Sequence, residues 1–306
     1  MSNVLLQMVV LIGCGLVWQL LKPGGLDSRQ MRAVLTGAVY YLFLPALVLR
    51  VIWQAPLGIA SLHIALLAAV GVLSGAVLAW LAMRALRVSP VVAGACILAA
   101  AWPNATYVGL PVLEAVFGEL GRSTAIQYDL FACTPLLLTL GIMIARHYGD
   151  TRGTARDSGM ATLLRVPPMW AAVLAVALNV ADLTMPALLQ GSLQLLGNAV
   201  VPLMLFSLGL SLQWQSLHWR QLPALVPVLL IQLMLMPLLV WAGALSLGLE
   251  GMRLQAIVLE ASLPSMVLGL VFCDRYGLDT GVYAAAVTLS TALSLVTMPI
   301  WYSILL

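Results

Sequence analysis

Two stretches of this sequence put helix-breaking and hydrogen-bonding residues inside long apolar runs. The first, CILAAAWPNATYVGLPVLEAVFG, holds Pro103, Gly109 and Pro111 together with Asn104 and Thr106. The second, AIVLEASLPSMVLGLVFCDRYG, repeats the idea with Ser262, Pro264, Ser265 and Gly269. Proline removes a backbone donor and clashes with the preceding turn, so unwinding is predicted over 102–111 and 262–269. At membrane depth, unwound backbone is tolerated only against protein or a water-filled cavity. Where two such helices cross, the N-terminal amides of their second halves point at the crossing and favour an anion, typically a carboxylate. The candidate substrate contacts are Pro103, Asn104, Thr106, Tyr107 and Gly109, with Ser262, Pro264 and Ser265 opposite. The plainer alternative is two kinked helices whose polar residues are satisfied locally.

Acids in the same neighbourhood are the next chemistry. A charge at mid-bilayer costs several kcal/mol, so an intramembrane acid is a functional candidate. Asp129, beside Gln127 and Tyr128, and Glu260, one turn before Pro264, are candidates for binding a proton or helping to coordinate sodium. Their ordinary reading is an acid near a helix end, facing water or bonded to neighbours. Glu114, Glu119, Asp274 and Asp279 fall near predicted helix ends and read as interfacial. Arg50 is predicted to snorkel to the outer face, with attraction of anions as a secondary role. His63, His147 and His218 have no partner at metal-ligand spacing, and Cys14, Cys96, Cys133 and Cys273 form no CxxC pair. Neither a metal site, a disulfide frame nor a cofactor is expected. Trp102, beside the first break, reads as packing, with pocket lining as its alternative.

The elements that must position these residues follow from composition. The chain has 306 residues, 62% of them hydrophobic and 8% charged. A soluble domain needs far more polar surface, and about 20 apolar residues cross a bilayer. Ten spans are predicted, at roughly 3–21, 31–53, 60–86, 90–117, 121–147, 166–182, 190–213, 220–248, 252–274 and 281–305. The N-terminal run has no positive segment before it, so it reads as a first span and not a cleaved signal. The partner implied is the lipid bilayer; no basic run resembles a nucleic-acid patch.

Lys and Arg placement predicts the orientation. With the N-terminus outside, eleven of the fourteen basic residues fall on inner loops, and only Arg50, Arg122 and Arg253 fall outside. Both termini then face out (periplasmic), and five spans per half force the halves to be inverted. The hydrophilic link from His147 to Arg165 divides the chain into 1–147 and 166–306, with a cytoplasmic linker at 148–165. Pro45 and Pro202, Pro103 and Pro264, and Pro135 and Pro299 recur in order at offsets of 157, 161 and 164. That recurrence supports inverted repeats. The fold class predicted is an all-α polytopic membrane protein, with ten transmembrane helices in two inverted five-helix repeats and broken helices four and nine crossed.

These residues resemble the auxin efflux carrier family, which includes bacterial members and the plant PIN carriers. The family pattern N-x-x-x-x-G-x-P is matched by Asn104, Gly109 and Pro111. A proline, a Tyr–Gly pair and an acid in the ninth span are matched by Pro264, Tyr276, Gly277 and Asp279. The resemblance covers essentially the whole chain. It implies a fold like the sodium/proton antiporters and bile-acid symporters. A scaffold of helices 1, 2, 6 and 7, through which a homodimer forms, carries a transport domain of helices 3–5 and 8–10 that moves as an elevator. It also implies small organic anions as substrates: indole acetate in plants, malonate or malate in bacteria. Asn104 maps onto the substrate-contacting asparagine. Leu268 stands where many bacterial relatives carry asparagine, which makes that wall of the pocket more apolar here.

The resulting expectation is a secondary carrier of small organic anions in the cell inner membrane, coupled to protons or sodium or driven by the anion's own gradient. No G-x-x-x-x-G-K-[ST] is present for direct use of ATP. Two alternatives remain: a ligand-binding membrane sensor that does not transport, and a sodium-coupled symporter of the bile-acid type. No H-E-x-x-H or G-x-S-x-G supports an enzyme.

Overall fold

A computed structural model describes residues 2–149, 166–212 and 221–306. Nearly all of the hydrophilic link predicted at 148–165 lies outside the described residues, as do Arg152, Arg156, Arg165, His218 and Arg220. Among the described residues the chain is all-helical; its β-type pairing is a single antiparallel bridge between Pro103 and Ser265.

In chain order the helices are α1 (Ser2–Leu21), α2 (Ser28–Gln54), α3 (Ile59–Leu86), α4 (Pro90–Ala101), α5 (105–117) and α6 (119–148). They continue with α7 (Pro167–Val180), α8 (Ala187–Ser211), α9 (Leu222–Ser246), α10 (Gly251–Ala261), α11 (Gly269–Tyr276) and α12 (Thr280–Leu305). Among the described residues, six helical stretches are long and apolar enough to cross a membrane by length and composition. One of these, Ala105–Tyr148, contains both α5 and α6. The chain turns between them at Gly118, whose φ of 61° is a left-handed value that glycine adopts without strain. That turn brings Arg122 back to an ion pair with Glu114.

Six of the prolines within the apolar runs fall into two kinds. Wide π turns at Val39–Phe43, Ala105–Gly109, Asp129–Cys133 and Ile231–Leu235 each end two residues before a proline, namely Pro45, Pro111, Pro135 and Pro237. The wider turn moves aside the carbonyl that a proline ring would strike, so the helix carries on. At Pro103 and Pro264 it does not, and the backbone opens. The openings are narrower than the predicted 102–111 and 262–269. Helix resumes at Ala105 in the first, because Asn104 caps it, and Gly109 and Pro111 are helical. In the second, 262–268 is open.

The helices fall into two packed groups. Helices α1, α2, α7 and α8 pack on one another, and α3–α6 pack with α9–α12. In the first group the backbones of α1 and α8 touch at Gly15 and Gly209, where no side chain fits between them.

Candidate functional site

The two openings face each other and are joined through their backbones. Asn104 N–H donates to the Pro264 carbonyl at 2.8 Å, and Met266 N–H donates to the Trp102 carbonyl at 3.0 Å. An unpaired amide in an apolar setting costs roughly 2–7 kcal/mol, so the pairing removes a penalty that either opening alone would carry. Side chains satisfy what remains. Gln232 on α9 donates to the Leu263 carbonyl at 2.8 Å, and Tyr283 on α12 donates to the Met266 carbonyl at 2.8 Å. Ser265 N–H donates to Ser290 Oγ at 3.0 Å, and Trp102 Nε1 donates to the Cys133 carbonyl at 3.1 Å. Trp102 is fully buried, as its packing reading requires.

Asn104 is 1% exposed. Its side-chain oxygen accepts from Tyr107 N–H at 3.3 Å, and its carbonyl receives Val108 and Gly109 N–H. Its Nδ2, by contrast, has no hydrogen-bond partner. One half of the amide therefore starts α5 while the other half is unspent. Among the described residues, neither Ala105 N–H nor Thr106 N–H has a backbone acceptor. Thr106 hydroxyl donates to Asp129, and Thr134 hydroxyl donates to the other Asp129 oxygen at 2.9 Å. Thr106 and Asp129 line a crevice of ≈ 10 Å³ beside α5, room for about one water.

Glu260 is 0% exposed, and neither carboxylate oxygen has a hydrogen-bond partner. It lies against the Cα of Gly109, with Asp129 within electrostatic range. Glu260, Gly109, Asn104, Thr106 and Asp129 thus gather around the start of α5.

Other expectations are corrected. Ser262 is no free donor: its hydroxyl bonds the Leu259 carbonyl one turn back, at 2.8 Å. Ser265 keeps an unpartnered hydroxyl but is buried. Gln127 does not join Asp129; its amide donates to Ser123 and it lines a different cavity, because two residues along a helix turn the side chain to another face. Arg50 does not snorkel outward: it is 8% exposed, walled in by the turn to α3 and by α6 and α10. Gly277 and Asp279 do structural work. Gly277 ends α11 at φ 69°, and Asp279 caps α12 by accepting from Val282 N–H at 2.9 Å.

A cavity of ≈ 520 Å³ opens between the two packed groups. Arg32, Tyr40 and Tyr41 of α2 and Ser207 of α8 form one wall, and Tyr107 and Leu268 belong to the other. Leu268 is 42% exposed there, at the edge of the second opening. Arg275, Phe272 and Tyr276 of α11 complete the mouth. Ser207 is buried with an unpartnered hydroxyl. Arg32, Ser207, Gln232, Tyr283 and Ser290 escaped the sequence reading, and only Gln232 left a trace there, as a polar residue in the middle of a long apolar run.

A family described as "Membrane transport protein" matches residues 1–302. An uncharacterized transporter of Methanothermobacter thermautotrophicus is 30% identical over 99% of this chain and 98% of its own length. The uncharacterized transporter YfdV of Escherichia coli is 25% identical over 68% of this chain and 67% of its own. A probable auxin efflux carrier component 5b of rice is 25% identical over 66% of this chain and 65% of its own. The apolar helices, the paired openings and these likenesses agree: the chain is a multi-pass membrane transporter of the membrane transport protein family, to which the auxin efflux carriers belong.

Proposed function

We propose that this transporter carries small organic anions by alternating access, with the crossing of α4/α5 and α10/α11 as the element that moves. The observation that carries the reading is the pair of backbone hydrogen bonds between the two openings. They tie four half-helices into one body, so neither opening can shift without the other. The second packed group, α3–α6 with α9–α12, would be that body, and α1, α2, α7 and α8 its scaffold and dimer surface. On this reading each half (1–147 and 166–306) is an inverted five-helix repeat, 148–165 is the cytoplasmic link and both termini face out of the inner membrane.

The large cavity supports the choice of cargo. Its volume lies within the usual range for small-molecule sites, and it lies between the two groups, where a sliding body would present it. Arg32 and Arg275 supply guanidinium groups for a carboxylate, while Tyr40, Tyr41, Tyr107 and Phe272 suit an apolar or aromatic body. From there the cargo approaches Asn104 Nδ2 and the amides of Ala105 and Thr106. The name of the rice relative, a probable auxin efflux carrier component, points to the same class of organic acid. Glu260 is the coupling candidate, since a buried carboxylate without a protein partner needs a proton or a cation.

The test is uptake of labelled malonate, malate and indole acetate into proteoliposomes under an imposed anion gradient. Saturable uptake of at least one, lowered about tenfold or more in Asn104→Ala, is expected. No uptake of any of the three above protein-free liposomes contradicts the reading, and saturable binding without uptake favours the sensor.

A further inference from the structure

A second cavity, ≈ 260 Å³, lies at the opposite ends of α2 and α6 from the larger one. Its walls come from three links far apart in sequence: the turn from α2 to α3, the start of α6 and the start of α10. Each brings one arginine, Arg50, Arg122 and Arg253, against a single lining carboxylate, Glu119.

Two of the three arginines are not spent on a carboxylate of the protein. Among the described residues the ion pair is Arg122 with Glu114, which leaves Arg50 and Arg253 without a carboxylate. Arg50 is more than nine-tenths buried, and its Nε has no hydrogen-bond partner; nor has the Nε of Arg122. The hydroxyl of Ser61, in the same wall, is likewise buried and unpartnered. Burying a guanidinium without an anion costs several kcal/mol, so the arrangement is complete only when a negative group enters.

We infer that this cavity is a second anion site, for a small soluble carboxylate, with Arg50 as its anchor and Arg253 at its rim. Arg50 and Ser61 supply unspent donors, and Arg253, with the unpartnered Nε of Arg122, adds to the mouth. Ile257 lines the wall one turn before Glu260, so the site ends about one helical turn from the crossing. Binding there does not depend on the transport reading.

The test uses the full-length protein in neutral-lipid nanodiscs, with malonate as the probe anion. Arginines are labelled with phenylglyoxal and read by peptide mass spectrometry. Malonate is expected to slow labelling of Arg253 several-fold. The concentration for half protection should rise about tenfold in Arg50→Gln and about threefold in Ser61→Ala, as loss of a charged and of a neutral donor implies. Ser61→Ala carries the test if Arg50→Gln does not fold. Protection retained in Asn104→Ala supports a separate site, whatever that variant does to uptake. Unchanged Arg253 labelling, protection lost in Asn104→Ala, or protection seen only with phosphatidylglycerol in the disc overturns the inference; the last result would make this a lipid-headgroup site.

Discussion

The carboxylate of Glu260 rests on the Cα of Gly109, so close that a methyl group at position 109 would collide with both of its oxygens. Two residues 151 positions apart thereby set how nearly α5 and α10 approach. Gly109→Ala is expected to destabilise the protein by about 1–3 kcal/mol, the usual result of overpacking a filled core. The double variant with Glu260→Ala should recover part of that loss, the rest staying with the Leu263 side chain that stands equally close. A thermal-unfolding cycle over the four proteins checks this; additive losses would mean that the two do not touch.

Thr106 and Thr134 both donate to Asp129, which ties the first turn of α5 to α6. Removing one donor leaves a carboxylate oxygen unsatisfied in a crevice with room for about one water. Thr106→Val is expected to cut initial uptake about tenfold, and Thr106→Ser to keep it, because serine retains the donor. Equal uptake in both variants would show that the tether is idle.

Gln232 and Tyr283 hold carbonyls of the second opening. Gln232→Leu and Tyr283→Phe each strand one buried carbonyl, at a cost of about 1–3 kcal/mol. Apparent melting temperature should fall for both, and uptake with it. An unchanged melt would mean that water replaces the side chain without penalty.

In the other packed group the contact of Gly15 with Gly209 leaves no space for a side chain. Gly209→Val should force α1 from α8 and lower the yield of folded protein. Gly13→Val, on the same helix as Gly15 but with nothing within 4 Å, should be tolerated. Similar yields for the two valine variants would contradict the packing described.

Much of this was legible in local signals. Apolar runs of spanning length placed the helices to within a few residues, and Pro103 and Pro264 marked the openings because each removes a donor. The extent of the first opening was misread, since Asn104 caps the next helix and a π turn absorbs Pro111. What stayed hidden depends on distance in sequence. Nothing near Gly109 announces Glu260, and the partners of the second opening lie on α9 and α12. Arg50, Arg122 and Arg253 could be assigned to the same face, yet not to one cavity, because their meeting is made by three separate turns.

The central claim is that the crossing is presented to both faces of the membrane in turn. Leu268, exposed in the large cavity at the edge of the second opening, reports on it directly. With exposed Cys14 changed to serine and Leu268→Cys introduced, an impermeant maleimide is applied to either face of proteoliposomes that take up malonate. The account predicts labelling from both faces, each slowed by saturating malonate. Labelling from one face only, in protein that still transports, would contradict it.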